Sequence, residues 1–223
     1  MTRTAYLDTL KPALLFTLIA LAAMLRALPA PAAGTETLTV AGGCFWCVES
    51  DFESVPGVIE AVSGYTGGKS ANPTYDQVTK GGTGHYEAVQ ITFNPAQISR
   101  ETLLNMFFRS VDPTDAGGQF CDRGDSYRTA IFVSNTGEKA LAEKAKADAQ
   151  RALGQTVVTP ILSEGTFYPA EAYHQDYYKG NKLILTRFGP KRQHSAYKAY
   201  RKACGRDARV KQLWGTDAPF VGS

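Results

Sequence analysis

Cys44 and Cys47 stand three residues apart in Gly42-Gly43-Cys44-Phe45-Trp46-Cys47, with two aromatic residues between them. Thiols at this spacing suit thiol–disulfide chemistry, or the binding of a soft metal ion. Residues 37–40 read as a short β-rich segment and residues 48–53 as helical, so the two glycines mark a strand-to-helix turn. Cys44 then falls at a helix start, where unpaired N–H groups and the positive dipole end favour a thiolate. The bland alternative is a buried structural pair.

A second chemical group lies in the run 85–93. Glu87, Val89, Ile91 and Phe93 share one parity, and Tyr86, Ala88, Gln90 and Thr92 the other. The first parity is apolar and core-facing, and it includes a carboxylate. Desolvation raises the pKa of such a group, which makes Glu87 a candidate proton donor near neutral pH. Placement at the strand's exposed end, or neutralisation by an arginine, remains open.

The elements that must hold these groups follow in order. A helix runs from the thiol pair to about Ser54, stopped by Val55-Pro56-Gly57, and residues 58–64 read as a strand. Glycine-rich loops occupy 65–75 and 81–84. Residues 99–111 form an amphipathic helix capped by Ser99. A loop through Cys121 and Asp122 leads to a strand over 127–133. A helix spans 136–153, with Thr136 as its cap and Gly154 as its stop. Residues 156–162 are β-like, with Pro160 arguing for an edge. The aromatic stretch 168–178 reads as a short helix, and 195–213 as a terminal one.

The 223 residues allow one or two domains with a real core, and the residues show no repeat. Residues 1–33 read as a leader. Arg3 and Lys11 precede an apolar run from Ala13 to Leu25, and Ala30-Pro31-Ala32 offers a cleavage site. An uncleaved anchor is the alternative. The remaining residues 34–223 are then a single catalytic domain with a basic tail from about 187. Three of 24 basic and one of 21 acidic residues lie in the leader, leaving 21 against 20. That balance gives no sign of a nucleic-acid partner, and a membrane enters only through an uncleaved leader. Residues 187–211 hold nine basic residues against Asp207, read as a solvated tail helix. Export places Cys44, Cys47, Cys121 and Cys204 in an oxidising, periplasmic or secreted setting.

Together these residues resemble the A-type peptide methionine sulfoxide reductases. Gly43-Cys44-Phe45-Trp46 with Glu49 carries the likeness, with Gly64-Tyr65-Thr66-Gly67-Gly68, Asn72-Pro73-Thr74-Tyr75 and Gly84-His85-Tyr86-Glu87. Asp122 with Tyr127-Arg128-Thr129, and Tyr173-His174-Gln175-Asp176-Tyr177, extend it. The resemblance implies an α+β fold, a two-layer α/β sandwich with a mixed sheet, without metal or organic cofactor; a monomer is expected separately. It implies Cys44 as nucleophile, Glu87 as proton donor, and Phe45 and Trp46 as a pocket for the substrate's S-methyl group. Tyr75 and Tyr127 join Glu87 around the sulfoxide oxygen, and Asp122 orders the pocket. The implied activity is repair, under oxidative stress, of free or protein-bound methionine S-sulfoxide, with an external thiol reductant such as thioredoxin. Cys47 departs from the glycine many members carry there. Resolution of a Cys44 sulfenic acid by Cys47, with Cys204 passing the disulfide outward, is the preferred reading, with Cys121 open as well. The rivals are a general dithiol oxidoreductase and a non-enzymatic thiolate metal-binding protein.

Overall fold

The computed structural model describes residues 34–222, so the expected leader lies outside the described residues. Those from Thr35 on form one compact unit. Among them no helix is long and apolar enough to cross a membrane.

Strand β1 (Glu36–Gly42) enters the core and ends at the glycine pair that opens helix α1 (Phe45–Glu53). Gly43 adopts φ +80°, and a Cβ there would lie 2.6 Å from Gln119 Cβ, so no side chain fits. Strand β2 (Val58–Thr66), the short helix α2 (Tyr75–Lys80) and strand β3 (Tyr86–Phe93) follow. Helix α2 occupies the stretch between the two expected glycine-rich loops, where the sequence marks no element. Thr74 and Gln77 close a capping box at its start. Helix α3 (Arg100–Ser110) carries the expected Ser99 cap, which accepts from the Thr102 N–H at 3.1 Å.

Next come the two-residue strands β4 (Gly118–Gln119) and β5 (Asp122–Arg123), a hairpin, and strand β6 (Thr129–Val133). Helix α4 (Thr136–Leu153) is capped by Asn135, which accepts from the Glu138 N–H, rather than by Thr136. Strands β7 (Ile161–Ser163) and β8 (Tyr168–Pro169) complete the main sheet. A hairpin of β9 (Leu183–Thr186) and β10 (Gly189–Arg192) leads into helices α5 (Gln193–Cys204) and α6 (Arg206–Trp214).

The sheet order is β7-β6-β1-β3-β2-β8. Every pairing in it is antiparallel except β6 with β7, so the sheet is mixed, as expected. Strand alternation decides its two faces. Leu38, Val40, Val89, Ile91, Phe93 and Ile131 pack with Phe52, Leu103 and Phe107 of the helices to form the main core. Ala41, Tyr86, Ala88, Ala130 and Phe132 form a smaller cluster.

Three sequence expectations change for physical reasons. Residues 168–178 are not a helix. Glu49 takes the Asp176 N–H at 2.6 Å, and the Ser63 carbonyl takes the Ala170 N–H at 2.9 Å. Those long-range bonds satisfy the groups a helix would use. The strand expected from Tyr127 starts at Thr129, because Tyr127 sits in a 3-10 turn. The terminal helix is two helices, broken at Gly205 with φ +76°.

The basic stretch 187–211 is not simply a solvated face. Arg201 and Arg206 are buried. Arg201 donates to Asp51 Oδ1 at 2.7 Å, to the Phe220 carbonyl and to the Tyr197 hydroxyl. Arg206 donates to the Gly42 and Ser110 carbonyls and lies over the Phe120 ring. These bonds fasten α5 and α6 to the turn that carries Cys44. Arg201→Met leaves the Asp51 carboxylate buried without its closest cation, and a loss of about 3–5 kcal/mol is expected in urea unfolding. Pairing it with Asp51→Asn should recover much of that loss. A variant as stable as the parent would refute the clamp.

Candidate active site

Cys44 is the N-cap of α1 and has non-helical backbone angles, φ −51° and ψ 115°. Cys47 is the third helical residue. N-cap and third-position side chains are the two that meet in a capping box, so the chain geometry itself brings the thiols together. The hydrogen bond to Cys47, and burial after it, push the Cys44 thiol well above its ordinary pKa, with Glu87 and Asp122 adding to the effect. The same hydrogen bond lowers Cys47, and the Arg206 and Arg201 guanidiniums lower it further. Of the two thiols, Cys47 is therefore the more readily ionised. Helix position alone points to Cys44 as the more acidic thiol, whereas the bond from Cys44, helped by two cations from α5 and α6, favours ionisation of Cys47.

Glu87 lies beneath the same helix start. Its Oε2 accepts from the Phe45 N–H at 3.1 Å. Burial nevertheless raises its pKa to about 8, against the pull of that bond and of the nearby Tyr127 hydroxyl. Its Oε1 is buried and has no hydrogen-bond partner among the described residues. An unpaired carboxyl oxygen facing a cavity is ready to donate to a bound acceptor. The Tyr75 and Tyr127 hydroxyls hydrogen-bond to each other, and burial raises both.

The aromatic wall is built from separate elements. The Trp46 ring stacks on Tyr177 at 3.8 Å and 3°. Its indole N–H donates to His174 Nδ1 at 3.1 Å, which fixes the ring's rotation. Burial holds His174 down at about 4, so it stays neutral and able to accept. Tyr75 stacks on Phe45, and its backbone N–H donates to Glu171 Oε1 at 2.9 Å. Glu171 also accepts from the Tyr65 hydroxyl.

One cavity of about 220 Å³ is lined by Cys44, Cys47, Phe45, Trp46, Tyr75 and Glu87 from one side. Asp122, Tyr127 and Cys204 line it from the other. Every site residue expected from the sequence is thus in one place. Cys121 lines it as well and is joined to Cys204 by a disulfide, 83 residues apart in the chain. That bond removes a four-thiolate metal set. Cys44 and Cys47 remain free thiols. Sequence reasoning missed the parts played by His174, Tyr177, Arg201 and Arg206. The aromatic segment was visible as a signal for the first two. No local pattern marks the arginines, because the groups that draw them to the site, Asp51, Gly42 and Ser110, lie 96 to 164 residues away.

Residues 36–216 match the family model described as peptide methionine sulfoxide reductase. The chain is 51% identical to peptide methionine sulfoxide reductase MsrA 2 of Caulobacter vibrioides, covering 89% of this chain and 94% of that one. It is 49% identical to the MsrA 2 of Rhizobium meliloti, covering 87% and 91%. Among solved structures, reduced Mxr1 of Saccharomyces cerevisiae superposes with a TM-score of 0.63 at 30% identity, covering 68% of this chain and 88% of that one. Methionine sulfoxide reductase A of Corynebacterium diphtheriae gives 0.61 at 30%, covering 73% and 80%.

Proposed function

The chain belongs to the A-type peptide methionine sulfoxide reductases, and from that premise we propose that its cavity reduces methionine S-sulfoxide through the residues described above. The observation that carries the residue assignment is the pairing of a thiol with a carboxyl held protonated near neutrality, across one aromatic cavity.

A sulfoxide sulfur becomes electrophilic only when its oxygen gains a proton or strong hydrogen bonds. Glu87 supplies the proton, and the Tyr75 and Tyr127 hydroxyls bind the same oxygen. Phe45 and Trp46 receive the S-methyl group, and His174 and Tyr177 hold the indole in place. Cys44 hands its proton to the Cys47 thiolate as its sulfur attacks. Oxygen passes to Cys44, giving a sulfenic acid and methionine. The Cys47 thiol then attacks the sulfenic sulfur. One S–S bond forms, the S–O bond breaks, and water leaves with both protons. The adjacent N-cap and third-position placement supports Cys47 in this role.

An external dithiol, thioredoxin-like in chemistry, restores the thiols by exchange. In the same reading the enzyme works as a monomer, without metal or organic cofactor, on free methionine sulfoxide and on oxidised proteins. The leader sequence supports a periplasmic or secreted setting, and cell fractionation tests it.

The deciding assay is dithiothreitol-dependent reduction of the S and R epimers of a methionine sulfoxide peptide by residues 34–223. One pocket with a fixed methyl wall and a fixed proton donor admits one epimer, and turnover of S alone is expected. Equal turnover of both, or of neither by folded protein, would overturn the assignment.

A further inference from the structure

One cation at the rim of the cavity has no part in the reduction. Arg187 lines the cavity and is exposed, in the turn between β9 and β10. We propose that Arg187, held by Phe188 and Tyr200, is a binding site for an acidic side chain of the oxidised polypeptide, close in sequence to its methionine sulfoxide. The proposal rests on the reduction reading above and adds a preference among its protein substrates.

The turn that presents Arg187 is held from several sides. The Thr186 hydroxyl donates to the Gly189 carbonyl at 2.7 Å and accepts from the Phe188 N–H at 3.0 Å, which closes the turn. Ile184 packs with Tyr177 and Tyr197 and so fastens the hairpin to the cavity wall. The Arg187 guanidinium lies 4.9 Å from the centre of the Phe188 ring and 5.2 Å from that of Tyr200. The two rings meet edge to face at 5.4 Å. Aromatic faces attract a guanidinium through its charge and leave its N–H donors for a carboxylate. Part of the cost of ordering that fork is thus met before a ligand arrives.

No carboxylate of the chain answers this cation. Among the described residues, the neighbouring Lys179, Arg201 and Arg206 are ion-paired and Arg187 is not. Asp122 shares the cavity, but its charge is balanced by Arg206 ahead of Arg187. The stretch from Tyr177 to Arg206 contains no acidic residue at all. An incoming carboxylate therefore meets a positioned guanidinium with nothing to displace except water.

The surroundings select a polypeptide over a single amino acid. The carboxylate of free methionine sulfoxide needs one cation near the sulfur and nothing beyond it. Here Leu183 and Leu185 are 68% and 85% exposed on the strand that leads to Arg187. Lys182, Lys191, Lys198 and Lys202 add further cations to the hairpin region and to α5, none of them ion-paired among the described residues. Apolar and basic surface side by side, continuous with the mouth of the cavity, suits a chain segment that carries acidic residues beside its oxidised methionine. The positive field also favours its encounter.

The test compares peptides blocked at both ends, each with one methionine S-sulfoxide flanked on both sides by glutamate, glutamine or lysine. Residues 34–223 are assayed with dithiothreitol at low salt. The parent should show a kcat/KM about fivefold higher for the glutamate peptide than for the glutamine one, the most that an exposed ion pair gives, and lowest for lysine. Arg187→Gln should bring the glutamate-to-glutamine ratio to about one, and Arg187→Glu should invert it. Damage to the fold lowers all three peptides together and cannot invert their order. A parental ratio kept by both variants, or equal turnover of the three peptides by the parent, would overturn the proposal. So would an Arg187→Gln loss confined to free methionine S-sulfoxide, which would assign the cation to the amino acid's own carboxylate. Each of these results leaves the reduction reading intact. No turnover of any peptide by the folded parent would defeat both.

Discussion

Cys44→Ser is expected to lower turnover of methionine S-sulfoxide by at least ~10^4-fold, to the background of the assay. The reason is chemical rather than steric. Sulfur can accept the sulfoxide oxygen and pass through a sulfenic acid, whereas a serine hydroxyl has no comparable oxidised form. Nothing else should change much. Phe45, Trp46 and His174 keep their packing, so the variant should still bind the sulfoxide peptide with an affinity near the parent's KM. Calorimetry of binding beside the turnover assay separates the two effects. Residual turnover above about a hundredth of the parent's would show that another thiol of the cavity attacks the substrate.

Glu87→Gln comes second, with an expected loss in kcat of ~10^2–10^4-fold, the range for removing a positioned proton donor. Glutamine keeps the length and the bond from the Phe45 N–H, so the loss reads proton transfer and not collapse of the helix start. The pH profile gives a sharper signature. Burial raises Glu87 to about 8 in the folded protein, so the donor form prevails at neutrality and disappears above that value. The parent's rate should therefore fall about tenfold per pH unit on the alkaline side, while the small residual rate of Glu87→Gln should lack that limb.

Stability follows the same sign. The folded pKa of Glu87 lies above the ordinary carboxylate value, so the protonated form is favoured by folding. That contribution is complete below the unfolded pKa and is lost progressively as pH rises towards about 8. Glu87→Gln should accordingly gain stability relative to the parent between about pH 5 and pH 9 in urea titrations. Parallel stability curves for the two proteins would mean that Glu87 is not held protonated.

The core elements around the site were legible because their signals are local. Gly42 and Gly43 between a β-rich and a helical stretch locate the turn, and a period of two puts Glu87 among Val89, Ile91 and Phe93. The caps of α3 and α4 were readable to within one residue, since Ser99 and Asn135 act on N–H groups three residues away. Residues 168–178 were not readable in the same way. The N–H groups of Asp176 and Ala170 are captured by Glu49 and the Ser63 carbonyl, more than a hundred positions upstream, and no periodicity records such a partner.

The chemistry of the site divides along the same line. The sequence by itself determined the reacting groups: a cysteine at a helix start, a second one turn on, aromatic residues between them, and a carboxylate on a core-facing strand position. Tertiary structure alone decided how those groups are charged and paired. The bond between the thiols, with Arg206 and Arg201 buried within a stretch whose composition reads as solvated, raises Cys44 and lowers Cys47. Folding of the β4–β5 hairpin against α5 joins Cys121 to Cys204 across 83 residues. Residue type and local spacing fix what a side chain can do. Its protonation state and its partner depend on burial and on charges brought close only by the fold.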